Sequence, residues 1–327
     1  MKLVTINYLR FYAILSLVVW HCFVCPLTCW QLIEPTEATN CIGGIAQWLI
    51  PGANMPLFVF IAGFVFAFAI DNGKYKAFRP FLWKKTKRLV IPFFTLGTII
   101  CLSAPERYLY QIGWGEGSHL WFCMMLFWIF IAAWLVNRPQ VPVWARVLVF
   151  LASCGYVLYN HCSQWSTLKL PLGLHHTFFF YCYFCMGEFV YRKRDNTKLL
   201  WGMLGFLILI FMAAKFGSSV GIKRVGRISN FLLSPMLIMV FYILARFIPE
   251  QKYKTSGFVD TICVYGFGIY VFHEWMSWCA YHYQPIYDLF VQSPLLFCGI
   301  FTVVDFGLSV LLTHLCFKTK VGKFLLA

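Results

Sequence analysis

Long apolar runs separated by short basic loops set the pattern along this chain. The runs fall at about 4–26, 48–70, 89–104, 119–136, 146–161, 173–191, 199–216, 229–248, 258–280 and 295–316. A membrane-crossing helix takes roughly 17–25 mostly apolar residues, so the pattern predicts about ten spans. The expected fold is therefore all-α, a polytopic transmembrane helical bundle forming one integral membrane domain over residues 1–327.

The loops set the orientation. Lys74, Lys76, Arg79, Lys84, Lys85, Lys87 and Arg88 crowd one loop. Arg192, Lys193, Arg194 and Lys198, then Lys252 and Lys254, then Lys318, Lys320 and Lys323 fall on the same side. Cytoplasmic loops of membrane proteins carry such an excess of lysine and arginine. Both termini are accordingly expected inside. Glu34, Glu37, Glu106, Glu116 and Asp288 mark the opposite loops, where only Lys223, Arg224 and Arg227 dissent. The first apolar run is longer than a signal-peptide core and lacks a small-residue cleavage pattern, so it is expected to remain as the first span.

Composition agrees. The chain is 61% hydrophobic and 12% charged, against about 45–50% and 25% in soluble domains. Its net charge of +15 sits in short loops between apolar runs, which argues against a nucleic-acid partner. Most of the 14 cysteines lie within apolar runs, where cysteine behaves as a small hydrophobe. Neither Cys22, Cys25 and Cys29 nor the Cys182–Cys185 pair has a matching second ligand pair, and no metal is expected.

The first run carries two ionisable residues, Arg10 and His21. At about 100° per residue their spacing makes three turns plus roughly 20°, so both leave one helix face, on the order of 16 Å apart along the axis. Ionisable groups inside a span are costly and by default suggest function. The orientation puts the permanent cation on the cytoplasmic side and the imidazole toward the exterior.

Arg10 and His21, with ten residues between them, match the R-x10-H signature of the acyltransferase-3 family of integral membrane O-acyltransferases. Other stretches resemble that family in the expected order. They are PLFVFIAGFVFAF (Pro56 to Phe68), FLWKKTKRLVIPFF (Phe81 to Phe94), HLWF (His119 to Phe122) and GIYVFH (Gly268 to His273). One departure is Ala62-Gly63, where the family usually has Ser-Gly; the position reads as helix packing. The resemblance implies transfer of an acyl group, most often acetyl, from coenzyme A to hydroxyls of extracytoplasmic glycans such as lipopolysaccharide, capsule or exopolysaccharide. It implies a place in the inner (cytoplasmic) membrane. Acetyl-CoA is then a co-substrate, with no tightly bound cofactor.

On this reading His21 is the general base for a sugar hydroxyl and Arg10 holds a coenzyme A phosphate. The pantetheine arm would thread between them. Direct transfer and a transient acyl-His21 both remain open. Arg88, Lys85 and Lys87 are the further cofactor-binding candidates, although for the lysines positive-inside topology and contact with anionic lipid is the simpler account. His119, Trp121 and His273 are candidates for binding the acceptor. Glu188 is a candidate partner for Arg10 or Arg192, and Asp305 for His273 or His21. A different class also fits buried charges in a bundle, a proton-coupled transporter or flippase of a glycan or lipid-linked precursor. Such carriers often show repeats with interrupted helices, and no repeat is evident here.

Overall fold

The computed structural model describes residues 4–25, 53–102, 108–115, 118–162, 170–220, 223–248 and 257–326. Among the described residues there is helix and no strand. A helix covers each apolar run. These are α1 (Val4–Phe23), α2 (Asn54–Asp71), α4 (Ile91–Cys101), α6 (Trp121–Val136), α7 (Val143–Cys162), α8 (Leu174–Lys193), α9 (Thr197–Ser219), α10 (Lys223–Arg246), α11 (Gly257–Tyr281) and α13 (Pro294–Phe317). Four shorter helices were not evident from the pattern: α3 (Phe78–Lys85), α5 (Tyr108–Trp114), α12 (Gln284–Gln292) and α14 (Lys320–Leu326). A five-residue π turn, Thr86–Val90, joins α3 to α4 without a break in the helix.

Among the described residues, five stretches are long and apolar enough to cross a membrane: Val4–Phe23, Asn54–Asp71, Val143–Asn160, Thr197–Ser219 and Pro294–Phe317. The protein is a multi-pass membrane protein. On α9, Phe206, Leu209, Met212 and Phe216 lie exposed, as do Leu296, Ile300, Val303 and Leu311 on α13. Lipid is the solvent such faces need, since every backbone polar group of a helix is satisfied internally. The predicted acidic loops around Glu34, Glu106 and Glu116 and the basic pair Lys252 and Lys254 lie outside the described residues, as do the side chains of Lys223, Arg224 and Arg227.

The chain folds as two compact units. The terminal unit comprises residues 1–54 and 245–327, and the central unit residues 55–244. In the terminal unit α1 packs on α11 and α13, α11 packs on α13, and α12 and α14 lie against α13. Tyr281, Phe290 and Cys298 make one apolar cluster with Phe23, Phe297 and Phe301, and Val4 and Val259 make a second with Tyr8 and Phe11. Two glycines bring the helices of this unit close. A methyl group added at Gly266 would meet the Ile14 side chain, and one at Gly268 would run into Thr313.

In the central unit α8 packs on α6 and α7, and α3, the π turn and α4 pack on α6. Phe66, Phe81, Phe130 and Phe184 form an aromatic core with neighbouring ring centroids 5.4–6.1 Å apart. The tightest approach is α2 on α8. A methyl group at Gly63 would collide with the Phe184 carbonyl, and one at Gly187 with the Phe60 carbonyl. The pairs 63/184 and 60/187 show that these helices run antiparallel. Small residues let backbones approach this way in membranes, which is the packing role expected of Ala62-Gly63.

Gly63→Ala or Gly187→Ala should each destabilise the protein in detergent by about 1–3 kcal/mol, the usual range for overpacking. Gly205→Ala on α9, where an added methyl meets nothing within 4 Å, should leave the unfolding midpoint unchanged or slightly higher. Thermal unfolding of the three purified variants checks this.

Candidate active site

The polar groups of the terminal unit are ordered by the pairing of α1 with α11. Asn7 Nδ2 donates to Asp260 Oδ1 at 3.0 Å, and Cys263 Sγ donates to the Asn7 carbonyl at 3.2 Å. Arg10, half-buried, lies within electrostatic reach of Cys263, and so does Asp260. Three turns on, His21 meets His273 and Glu274, and Tyr281 OH donates to the Cys22 carbonyl at 2.7 Å. Numbers rise together on both helices, so α1 and α11 are parallel. Arg10 and His21 both face α11, as their spacing predicts.

His21 is buried. Its Nε2 lies 3.2 Å from Glu274 Oε2, and its Nδ1 lies 3.0 Å from the Leu17 carbonyl and 3.2 Å from His273 Nε2. The two imidazoles meet edge to face, centroids 4.6 Å apart. His273 is fully buried, with Nδ1 2.9 Å from the Ile269 carbonyl. Carbonyl oxygens only accept, so both Nδ1 atoms carry hydrogen. His273 then offers the Nε2 lone pair to the Nδ1–H of His21. His21 Nε2 faces the Glu274 carboxylate.

Beneath the histidines is a second buried polar group. Asp305 on α13 accepts from Ser277 Oγ at 2.7 Å, Ser309 Oγ at 3.3 Å and Cys22 Sγ at 3.5 Å. Three helices are tied to one carboxylate. Each of these groups is buried, and buried polar groups are tolerated when hydrogen-bonded. Hydrogen bonds from neutral donors engage Asp305, and His21, one of the two histidines expected as its partner, lies within its electrostatic reach.

The central unit holds the other candidates. Lys85 Nζ sits 3.2 Å above the Phe130 ring and 5.2 Å from that of Tyr75, and Lys84 Nζ lies 5.7 Å from the Tyr75 ring. Arg88, on the π turn, is within electrostatic reach of both Tyr75 and Lys85. Lys87 separates from them and lies 5.5 Å over Trp83. His119 is buried at the 3-10 turn that opens α6. Trp121 packs against His176 at 4.6 Å and Phe180 at 5.6 Å. Glu188 accepts from Asn137 Nδ2 at 2.9 Å.

Sequence reasoning placed Arg10, His21 and His273 but gave Glu274 no role, although it adjoins His273. It gave Ser277 no role and read Cys22 as a small hydrophobe. Position i+4 from His273 was the available signal for Ser277.

The fold is thus that of an all-helical membrane protein, among the described residues, with a His–His–Glu group held between two parallel helices. The family model described as an acyltransferase domain matches residues 3–314, nearly the whole chain, and the chain belongs to this acyltransferase-3 family. It is thus a membrane acyltransferase. No curated protein and no solved structure shows a significant match to it.

Asp305→Ala strips one acceptor from three buried donors and should cost about 1–3 kcal/mol of stability, as stranded buried donors do. Ser309→Ala, which removes a single donor, should cost less. Unfolding of both variants in detergent, compared side by side, checks the order.

Proposed function

We propose that the protein moves an acetyl group from cytoplasmic acetyl-CoA to a hydroxyl of an extracytoplasmic glycan, with His21 as general base. The observation that carries this reading is the placement of His21 Nε2 against Glu274, with His273 fixing the other ring nitrogen. An alcohol is a poor nucleophile at neutral pH, and a positioned base is worth about 10²–10⁴-fold. In the reacting complex the acceptor hydroxyl takes the place of Glu274 Oε2 at His21 Nε2. Its O–H gives its proton to Nε2 while its oxygen bonds to the acyl carbon. The C–S bond of the thioester then breaks, and the coenzyme sulfur leaves with the proton returned from Nε2. Glu274 lies where the imidazolium charge forms and balances it without a net charge in an apolar surrounding.

Arg10 is assigned to a coenzyme A phosphate, for which the guanidinium fork is well suited. The parallel run of α1 and α11 supports the topology of about ten spans with both termini cytoplasmic. In that count these helices are the first and ninth spans, which must point the same way. His119 and Trp121 are assigned to the acceptor, where an aromatic face suits a sugar's C–H face. His273, buried with both nitrogens engaged, is assigned to support His21. The place of action is the inner (cytoplasmic) membrane.

Acetyl transfer by purified protein, followed as coenzyme A release with a glycan acceptor, tests the reading. His21→Ala should lower kcat by about 10²–10⁴-fold while the protein stays folded. Glu274→Gln keeps the shape, removes the charge and should lower kcat without raising KM for the donor. Arg10→Ala should do the reverse, raising KM for acetyl-CoA about tenfold or more, since hydrogen bonds to charged groups are worth about 1.5–3 kcal/mol. Full activity in the His21 variant would refute the assignment. A carrier would release no coenzyme A at all.

A further inference from the structure

α11 continues past the His21–Glu274 contact, on the side away from Arg10. One and two turns beyond Glu274 stand Trp278 and His282. Each step of four residues drifts by about 40° and rises about 6 Å, so both follow Glu274 along nearly one face. Both are exposed, Trp278 by 41%. Their rings stack with centroids 3.9 Å apart. The Trp278 carbonyl fixes His282 twice, accepting from its backbone N–H at 3.3 Å and lying 2.8 Å from its Nδ1. A carbonyl only accepts, so Nδ1 carries hydrogen and Nε2 is an acceptor in the neutral ring.

α12 follows directly. Phe290 is buried against Tyr281 and Phe297, which pins α12 to α11 and α13. On its exposed side Gln284 Nε2 donates to Asp288 Oδ1 at 2.8 Å. The other carboxylate oxygen of Asp288 is a further acceptor. The end of the helix that carries Glu274 therefore gathers two stacked rings, an imidazole acceptor and a carboxylate, all within the terminal unit. An aromatic belt at the membrane surface accounts for a lone indole. It does not account for an imidazole held on that indole, nor for a carboxylate clasped beside them, which repels anionic lipid.

A pyranose ring suits this arrangement. Its C–H face packs on the negative face of an indole. Its hydroxyls donate to an imidazole nitrogen and, in a charge-assisted bond, to a carboxylate. We propose that Trp278, His282, Gln284 and Asp288 form a distal subsite for a neutral oligosaccharide, holding acceptor units beyond the sugar that reacts. The subsite rests on the glycan-acceptor reading and adds where the acceptor chain leaves the His21–Glu274 site. It also adds the acceptor's charge. An acidic sugar sets a like charge against Asp288, which selects against it.

The test is saturation-transfer NMR on the full-length protein in neutral-lipid nanodiscs. Maltotetraose is the neutral probe and tetragalacturonate the acidic one. The wild type should contact the C–H protons of maltotetraose and give a signal at least fivefold weaker with tetragalacturonate. Trp278→Ala should weaken the maltotetraose contact about tenfold, while Trp278→Phe, which keeps a ring, should retain most of it. Asp288→Asn should raise the tetragalacturonate signal. These positions are exposed, so unfolding midpoints should stay with the wild type. Coenzyme A release from acetyl-CoA is followed in the same samples. Trp278-dependent sugar contact without coenzyme A release supports the subsite while acetyl transfer fails. A maltotetraose signal absent from the wild type, or within twofold of it in Trp278→Ala, overturns the subsite whether or not coenzyme A is released.

Discussion

The register between α1 and α11 is the constraint on which the rest of the terminal unit depends. Asn7 with Asp260, the Asn7 carbonyl with Cys263, His21 with His273 and the Cys22 carbonyl with Tyr281 all occur along one parallel pairing. Sliding one helix by a residue relative to the other turns each side chain by about 100° and breaks all four at once. Lipid gives no hydrophobic push between helices, so packing and interhelical hydrogen bonds must supply the association. Gly266 and Gly268 add the close approach that makes the contacts reachable. The same polar residues that dispose the chemistry thus also fix the fold around it.

The buried groups divide by proton freedom. Ile269 and Leu17 carbonyls pin one hydrogen on each imidazole. Asp305 is engaged by three donors that belong to α1, α11 and α13. The Nε2 face of His21 meets the less buried Glu274 instead. A fully satisfied network is rigid because an unpaired polar group in a low-dielectric interior is costly. On the proposed reading, rigidity in the pinned part gives the mobile proton a single address.

The helices were legible in the sequence because apolar runs long enough to cross lipid announce themselves. Arg10, His21 and His273 were legible because an ionisable residue inside such a run stands out. Their partners were not. Periodicity tells which face of one helix a residue occupies, but it says nothing about which distant helix meets that face. Glu274 and Asp305 were in view as residues, and their roles waited on the packing of α11 and α13. The basic loop shows the same limit. Lys84, Lys85, Lys87 and Arg88 were an undivided charge run until the helix separated Lys87, which turns to Trp83, from the others. Tyr75, with φ at 66°, was the least legible. Positive φ is normally announced by glycine or asparagine, and here aromatic packing and the Trp134 indole hydrogen bond impose it on a tyrosine.

Burial of the histidines has a consequence for the chemistry of a membrane acyltransferase. A thioester donor is also open to attack by water, so a site that activates one hydroxyl must exclude another. His21 and His273 sit among apolar side chains, and His273 is fully enclosed. The cost of such a place is that a new charge there is poorly solvated. The His21–Glu274 pair meets that difficulty directly. On the proposed reading, in which the imidazole takes up the acceptor's proton, the carboxylate 3.2 Å away is already present, so the pair becomes neutral at the moment the ring becomes charged. On that reading the counter-charge is built into the turn of α11 that also carries His273.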